Sequence, residues 1–478
     1  MNQHKYENIA MILADRIKDK VLLPGDKLPS LRKLCMDHDI SQSTALSVYD
    51  LLQAGGYAES RDRSGYFVSR LSRRIAALPF SSHPAGKESA QNLDKLAEEI
   101  FSTAGPGHIK FSYGAPSSRL LPVARLNKEL VKAARNLESG GTAYTETQGN
   151  EKLRRQIIRH APHLGSLKPD DLITTSGCNN ALALALMATT SPGDRVGVES
   201  PYYFGLSGLA RNLGIKLVEL PCHALTGPDL EMLEGILQNR QLQAIIVVSN
   251  FSNPMGGLMP AANKQKLVKL IEQFQIPLIE DDIYGDIYFG RQRPETCKGY
   301  DNSGLVLLCS SFTKTIAPGY RVGWIAPGKF REKVLQLKLS FVVCSVSLTE
   351  EAIAGFMETS HYQKHLKQLR QTLYANYLQY SEAIGRYFPE GTRLSQPQGG
   401  LFLWVEFDHD INTLQLFKQA IRLGISIAPG QLFTREKQFS NCMRLNFGLP
   451  WNTQLEQALK TIGHLATMLG NTNNELNN

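Results

Sequence analysis

The sequence has few of the features that mark disulfide-bonded proteins, proteins with a structural metal, or membrane proteins. Its 7 cysteines are scattered, with no CxxC pair and no Cys/His spacing typical of zinc, so neither a disulfide framework nor a structural metal is expected. It has no run of about 20 apolar residues that could span a bilayer. The N-terminus mixes charges into its apolar positions and lacks the cleavage site of a secretory signal. We therefore expect a cytosolic protein without a metal.

The length and charge of the chain leave its function class open. A chain of 478 residues is too long for a single hydrophobic core, so two or three domains are expected. The net charge of +8 is compatible with nucleic-acid binding, but charge alone does not establish it. The motifs must therefore decide.

The N-terminal residues carry the pattern of a helix-turn-helix followed by a wing. Apolar residues recur at helical spacing over residues 4–20. Ser30 is a candidate cap for a second helix over residues 31–37, and a third helix begins at Ser41 after a tight turn. Residues 57–69 alternate around a basic tip, which predicts a β-hairpin. The pattern predicts a winged helix-turn-helix over residues 1–70.

The rest of the chain is predicted to form a linker and one large α/β domain. Residues 71–104 are the predicted linker, because the first part of this segment has prolines, serines and no apolar periodicity. Over residues 105–478, apolar strand-like runs alternate with helical stretches, which favours a largely parallel sheet. From about residue 345 a smaller α+β subdomain is expected. The predicted strands cover residues 195–198, 244–249, 277–279, 305–309, 401–406 and 444–447.

Three N-terminal strings resemble the DNA-binding domain of the GntR family. They are LPSLRKL, starting at Leu28, ISQSTALSVYDLLQAGGY, starting at Ile40, and SGYFV, starting at Ser64. The resemblance implies that the third helix enters the major groove while the wing approaches the minor groove. The alternative is a small protein-docking domain with a solvated basic face. The residues implied to contact DNA are Arg32, Ser41, Gln42, Ser43, Thr44, Arg63 and Gly65.

The string SSFTKTIAPGYRVGW, which begins at Ser310, has the groups needed to hold a cofactor aldehyde and its phosphate. Lys314 can form a Schiff base with pyridoxal 5'-phosphate. The hydroxyl of Ser311 and the guanidinium of Arg321 can hydrogen-bond and neutralise the phosphate. A lysine near an arginine is by itself usually only a surface pair, so the assignment depends on the other motifs.

Two further strings supply groups for the cofactor ring. In IEDDIYGD, Asp281 is expected at the carboxyl end of a strand, where ligands of open α/β sheets bind, and can pair with the pyridinium nitrogen. Tyr284 and Asn253 can donate hydrogen bonds to the phenolic oxygen. A row of acids is otherwise most often a solvated turn, and SNPMG is otherwise an Asn-Pro turn.

Five further residues belong to the predicted site. Gly177, Cys178 and Asn179 stand at the start of an apolar helix, whose free amides suit a phosphate. Tyr203 can stack on the ring, although such an aromatic is otherwise most often a core residue. Arg444 can clamp a substrate carboxylate, with a structural ion pair as the alternative.

In this order, these motifs resemble the fold-type I aminotransferases over roughly residues 108–465. The resemblance implies an active site at a homodimer interface, with Tyr144 of the neighbouring subunit as a phosphate ligand. The fusion of the two parts resembles the MocR subfamily of GntR-type regulators. The resemblance implies an effector-responsive transcription regulator in which an amino compound is sensed by aldimine exchange at Lys314. The alternatives are an active aminotransferase that carries a DNA-binding domain, and a dimerisation scaffold that holds the cofactor only for stability.

Overall fold

A computed structural model gives the coordinates of the chain. It describes residues 5–18, 21–23, 25–54, 57–61, 64–68, 76–78, 84, 93–102, 105, 107–223, 226–290, 292–408 and 411–476.

The N-terminal domain is a three-helix unit with a two-stranded wing. Leu13, Leu34 and Val48 are buried together with the other apolar faces of the three helices. The two strands pair antiparallel, which confirms the predicted hairpin. The elements are α1 (Lys5–Lys18), α2 (Leu31–His38), α3 (Gln42–Ala54), β1 (Ala58–Arg61) and β2 (Gly65–Val68).

Two pieces of the predicted linker are part of the C-terminal fold. Strand β3 (Ala76–Ala77) pairs parallel with residues 393–394 of the small subdomain. Helix α4 (Leu93–Ser102) buries Leu96 and Ile100 in the same core. The linker prediction is therefore wrong for both pieces; β3 gave no signal because a strand of two residues has no periodicity to recognise, and its partner is more than 300 residues away.

The large part of the C-terminal domain alternates strands with helices, as predicted. Its elements are β4 (Ile109–Lys110), α5 (Val123–Asn136), α6 (Glu151–His160), β5 (Ile173–Thr175), α7 (Cys178–Thr189), β6 (Arg195–Glu199), α8 (Gly205–Asn212), β7 (Lys216–Leu220), β8 (Cys222–His223), β9 (Gly227–Pro228), α9 (Leu230–Gln238), β10 (Ala244–Val247), α10 (Ala261–Phe274), β11 (Leu278–Asp281), β12 (Val306–Ser311), β13 (Gly323–Ala326) and α11 (Arg331–Phe341).

Seven of these strands form the central sheet, in the order β5, β13, β12, β11, β10, β6 and β7. Strand β13 runs antiparallel to both of its neighbours, and the other pairs are parallel. Every residue of β10, β11 and β12 is buried, as expected for strands covered on both faces. The carboxyl ends of these three strands therefore lie at one edge, where open α/β sheets bind ligands.

The small subdomain packs a second sheet against two long helices. This sheet has the order β17, β18, β15, β14 and β3, and β4 pairs separately with β16. None of the described helices is long and apolar enough to cross a membrane. The elements are α12 (Ser347–Glu358), α13 (His361–Tyr387), β14 (Arg393–Leu394), β15 (Phe402–Glu406), α14 (Thr413–Ala420), β16 (Ile425–Ser426), β17 (Ala428–Pro429), β18 (Cys442–Asn446) and α15 (Thr453–Leu476).

One buried carboxylate joins the two parts of this domain. Glu219, near the end of β7, accepts a hydrogen bond from Ser200 at 2.6 Å on the large part. From the small subdomain it accepts bonds from the Thr434 hydroxyl at 2.8 Å and from the Arg435 backbone N–H at 2.6 Å. The Gln438 amide donates at 3.0 Å. This Glu219 contact holds the subdomain that carries β18 against the central sheet.

Candidate cofactor and DNA sites

A cavity of about 360 Å³ lies at the carboxyl edge of the central sheet, within the usual range for small-molecule sites. Its wall combines an amine, a carboxylate, two guanidinium groups and aromatic rings. No cluster of three or more potential metal-ligating side chains is found among the described residues. The wall consists of Gly114, Ala115, Cys178, Asn179, Tyr203, Phe204, Val248, Asn253, Asp281, Ile283, Tyr284, Thr313, Lys314, Arg321 and Arg444.

Lys314 supplies the amine of the cavity. It ends a short 3-10 turn that directly follows β12, and its Nζ donates a hydrogen bond to the carbonyl of Gly114 at 2.5 Å. Burial, together with the positive charge of Arg444, lowers the pKa of this amine to about 8. At neutral pH a much larger fraction is therefore neutral than for a lysine in water, and the neutral amine is the nucleophile.

Asp281 supplies the carboxylate. It is the last residue of β11 and accepts hydrogen bonds from the Cys178 thiol at 3.3 Å and from the Ile283 backbone N–H at 3.2 Å. Burial raises its pKa to about 6. Its neighbours Glu280 and Asp282 are also buried. A solvated turn is thus excluded for all three acids.

Glu280 and Asp282 lie outside the cavity wall and hold the surrounding loops. Glu280 accepts bonds from the backbone N–H groups of Cys297 at 2.7 Å and of Lys298 at 2.9 Å. Asp282 accepts a bond from the Asn250 amide at 2.7 Å and forms an ion pair with Arg293. The backbone on both sides of Asp281 is thereby fixed.

Two pairs of polar side chains line the cavity near Asp281. The Asn253 amide donates to the Tyr284 hydroxyl at 3.5 Å, and the Asn179 amide donates to the Tyr203 hydroxyl at 3.5 Å. Burial raises the pKa of both tyrosines. Both hydroxyls therefore stay protonated at neutral pH and can donate hydrogen bonds.

Arg444, on β18, brings a buried guanidinium into the cavity from the small subdomain. It donates to the Asn253 side chain at 2.9 Å and to the carbonyl of Ser112. Within the described part of the chain, no carboxylate forms an ion pair with it, so the structural ion pair considered for this residue is not observed. Burial lowers its pKa to about 10. It stays charged and can receive an anionic group.

Arg321 reaches the cavity beside the start of α7. One of its guanidinium nitrogens donates to the carbonyl of Ser176 at 3.4 Å. Gly177 caps the helix with φ +85°, and a Cβ added there would lie 2.5 Å from the Arg321 Nη2. Only glycine lets the arginine approach the helix start this closely.

The start of α3 presents polar groups at the surface of the N-terminal domain. The Ser41 hydroxyl accepts a hydrogen bond from the Thr44 backbone N–H at 3.2 Å, as an N-cap does. Gln42 and Arg32, on α3 and α2, are exposed.

The predicted wing contacts are only partly described. Gly65 is exposed with φ +96°, a conformation that favours glycine, at the start of β2. Arg63 and the side chain of Ser43 lie outside the described residues.

Comparison with known proteins separates the same two parts. Residues 5–68 match the model for bacterial regulatory proteins of the gntR family, and residues 107–462 match aminotransferase class I and II. The Escherichia coli K12 HTH-type transcriptional regulator YjiR is 34% identical over 460 residues, covering 96% of this chain and 98% of the relative. YdcR, an HTH-type transcriptional regulator of the same strain, is 32% identical over 463 residues, with 96% and 98% covered. The chain belongs to the MocR subfamily of GntR-type regulators.

The C-terminal fold of this MocR-type chain is that of the aminotransferases. Kynurenine aminotransferase from Pyrococcus horikoshii superposes with a TM-score of 0.73 at 24% identity, covering 79% of this chain and 95% of the enzyme. The winged helix-turn-helix and the fold-type I domain predicted from sequence are both confirmed.

The cavity of the MocR-type chain fits pyridoxal 5'-phosphate, the cofactor of the aminotransferase family. Lys314 and Asp281 are an amine and a carboxylate in one wall. Within the described residues, the Thr313 hydroxyl and the Arg444 Nε are buried without a hydrogen-bond partner. Unpartnered buried polar groups are costly unless a ligand or water satisfies them. Pyridoxal 5'-phosphate is thus the cofactor indicated by both the family and the cavity.

Nine predicted site residues of the MocR-type chain meet in the wall, and three do not. The Ser311 hydroxyl accepts a hydrogen bond from the Thr313 backbone N–H. Gly177 packs against the Arg321 guanidinium, and Tyr144 is 86% exposed. The roles assigned to all twelve stay predictions. Those in the wall are Lys314, Asp281, Tyr284, Asn253, Arg321, Cys178, Asn179, Tyr203 and Arg444.

Sequence reasoning missed the apolar and backbone groups of the wall. Gly114 and Ala115 lie 200 and 199 residues before Lys314, and no local motif marks them. Val248 and Ile283 resemble any other core residue near a strand end. Thr313 could have been found, because it adjoins the lysine and carries a hydroxyl.

Proposed function

We propose that this chain is a DNA-binding transcription regulator that holds pyridoxal phosphate at Lys314 and responds to an amino compound in the same cavity. One observation carries the proposal. A single cavity contains the Lys314 amine, the Asp281 carboxylate and the Arg444 guanidinium, in a chain that begins with a GntR-type domain.

Pyridoxal phosphate, when bound, supplies an aldehyde that reacts reversibly with amines. The Lys314 amine is the group of this chain that attaches to it, because its lowered pKa keeps part of it neutral. Asp281, a buried carboxylate, would pair with the ring nitrogen. Tyr284 and Asn253 would donate to the phenolic oxygen, and Tyr203 would pack on the ring face.

The phosphate is proposed to bind where α7 begins. Helix N-termini bind phosphates through free backbone amides and the helix dipole. The Arg321 guanidinium adds a positive charge beside that turn. A second copy of the chain is proposed to complete the site with Tyr144, whose ring is exposed and does not line the cavity of its own chain. The remaining proposed ligands are Gly177, Cys178, Asn179 and Ser311.

The effector is proposed to be an amino compound with a carboxylate. Arg444 could hold that carboxylate through a bidentate contact, while the amine of the effector would lie in the same cavity as Lys314. Arg444 belongs to the small subdomain and Lys314 to the large part of the domain. An effector that contacts both residues therefore favours one arrangement of the small subdomain relative to the large part. Only an effector with different affinity for two arrangements shifts their populations.

The regulatory output is proposed to be DNA binding by α3 and the wing, in the cytosol where bacterial DNA is found. Ser41, Gln42 and Thr44 present donors at the start of α3, while Arg32 contacts the phosphate backbone. Gly65, together with Arg63 and Ser43, completes the proposed contact set.

The test is to load the purified full-length protein with pyridoxal phosphate, reduce it with borohydride and locate the modified peptide by mass spectrometry. We expect the label on Lys314 and no label in the Lys314→Ala variant. DNA fragments that bind the protein are then selected from a random duplex library. The affinity of the protein for these fragments is measured with and without amino acids and other amines. Labelling elsewhere would refute the cofactor role, and DNA affinity unaffected by every amine would refute the sensing role.

Aminotransferase activity is a second candidate, favoured by one observation. Lys314 and Arg444 share the cavity, so a freed amine with a pKa of about 8 could act as general acid and base beside a held amino acid. Multiple turnovers of an amino donor with a keto acid would establish this activity.

A further inference from the structure

The thiol of Cys178 lies against the carboxylate of Asp281 inside the cavity. Cys178 is the first residue of α7 and Asp281 the last of β11, and both are almost fully buried. The Sγ donates to Oδ1 at 3.3 Å, and the Ile283 backbone N–H donates to the same oxygen at 3.2 Å. Both bonds end on Oδ1, so Oδ2 is the oxygen that can face a ligand.

The two groups differ in protonation in a way that suits this bond. Burial raises the pKa of Cys178 well above its usual value, and the charge of Asp281 raises it further. The thiol therefore stays protonated and keeps its hydrogen. Burial also raises the pKa of Asp281, while the thiol bond lowers it. A donor to the charged form of a carboxylate favours ionisation.

The bond joins two elements with different proposed tasks. The start of α7 is where the phosphate is proposed to bind, and the end of β11 is where the ring nitrogen is proposed to pair. Independently, the Thr313 hydroxyl is more than nine-tenths buried in the same wall and has no partner within the described residues, which points to a polar ligand here.

We infer that Cys178 is a positioning residue, whose thiol keeps Asp281 ionised and turns Oδ2 toward the pyridine nitrogen of pyridoxal phosphate. The inference rests on the proposed function, and it gives the Cys178 side chain a role distinct from that of its backbone amide. Without the thiol, Asp281 loses one of its two hydrogen bonds and is more often neutral. A neutral acid pairs poorly with a protonated ring nitrogen.

The test measures the affinity of the full-length protein for pyridoxal phosphate by absorbance titration. We compare Cys178→Ala and Cys178→Ser with the wild type, and use Cys222→Ala as the matched control. Cys222 is also a buried thiol but does not line the cavity. A net hydrogen bond is typically about 1 kcal/mol, so Cys178→Ala should weaken binding about fivefold.

The serine variant distinguishes a hydrogen-bond role from a packing role. A serine hydroxyl can also donate to Asp281, and we take its hydrogen bond to be as strong as that of the thiol. The affinity of Cys178→Ser for pyridoxal phosphate should therefore be within about twofold of the wild-type value. The absorption maximum of the bound cofactor should shift in Cys178→Ala and return in Cys178→Ser. The control should match the wild type in both measurements.

Two results would overturn the inference. One is an alanine variant with wild-type affinity and spectrum, and the other is a serine variant as impaired as the alanine variant. If Cys178→Ala does not fold, the inference is still tested by Cys178→Ser. This variant must keep the wild-type affinity for pyridoxal phosphate and the wild-type absorption maximum, and loss of either would overturn the inference. A wild type that binds no cofactor would instead refute the proposed function itself, and the inference with it.

Discussion

Replacing Glu219 with alanine should loosen the small subdomain from the central sheet. The substitution removes the acceptor of hydrogen bonds from Ser200, Thr434, Gln438 and the Arg435 backbone N–H. The carboxylate is buried, and burial raises its pKa, while the bonds from Ser200, Thr434 and the Arg435 backbone N–H lower it. The donors are buried or half-buried, and a buried donor left without a partner costs more than a hydrogen bond contributes.

The magnitude follows from which donors can find other partners. Gln438 already donates to the Ser200 hydroxyl at 3.0 Å and to the Thr434 hydroxyl at 3.3 Å, so these three can partly satisfy one another. The Arg435 backbone N–H has no such substitute in the described residues. We estimate a loss of about 3 kcal/mol in the free energy of unfolding, since one lost buried partner typically costs 1–3 kcal/mol and the carboxylate bonds are charge-assisted.

The assay combines thermal unfolding with hydrogen exchange at single amides. A loss of this size should lower the melting temperature by roughly 5 °C in a domain this large. Exchange should quicken at the Arg435 amide and at the Tyr202 amide, which donates to the Phe433 carbonyl at 3.0 Å. The control is Glu98→Ala, because Glu98 is exposed on α4. Wild-type melting and unchanged exchange at both amides would refute the role given to the Glu219 contact.

Three further predictions concern the cavity and its surroundings. Because the pKa of Lys314 is lowered to about 8, the rate of pyridoxal phosphate incorporation, followed by stopped-flow absorbance, should rise with pH around a midpoint near 8; a midpoint near 10 would contradict this. Burial raises the pKa of Glu199 from 4.5 to about 8. Between pH 4.5 and 8 the carboxyl is therefore protonated in the native state but ionised in the unfolded state. The free energy of unfolding should fall as the pH rises through this range, by up to about 1.4 kcal/mol per pH unit. Glu199→Gln should remove this pH dependence of the free energy of unfolding, measured by urea unfolding. An unchanged pH dependence would contradict the raised pKa of Glu199. Gly177→Ala should displace Arg321 and weaken cofactor binding roughly tenfold, a cost of about 1.4 kcal/mol, whereas Gly319→Ala, with open space around its Cβ position, should bind as the wild type.

Local patterns in the sequence predicted the elements that depend on near neighbours. The third helix was expected from Ser41, and α3 begins at Gln42 with the Ser41 hydroxyl as its cap. The strands β10, β11 and β12 were expected as apolar runs, because a strand covered on both faces must be apolar throughout. Motif spacing around Lys314 and Asp281 also indicated the family, since each group was tied to a strand end.

The sequence alone thus determined the two domain types, the cofactor class and most of the residues in the cavity wall. Tertiary structure alone decided that Gly114 reaches Lys314, that β3 joins the small subdomain and that Glu219 meets Thr434. It also decided that the Cys178 thiol faces Asp281. Spacing along a chain specifies which residues share a helix or strand face, but contacts between residues a hundred or more positions apart depend on how the elements pack.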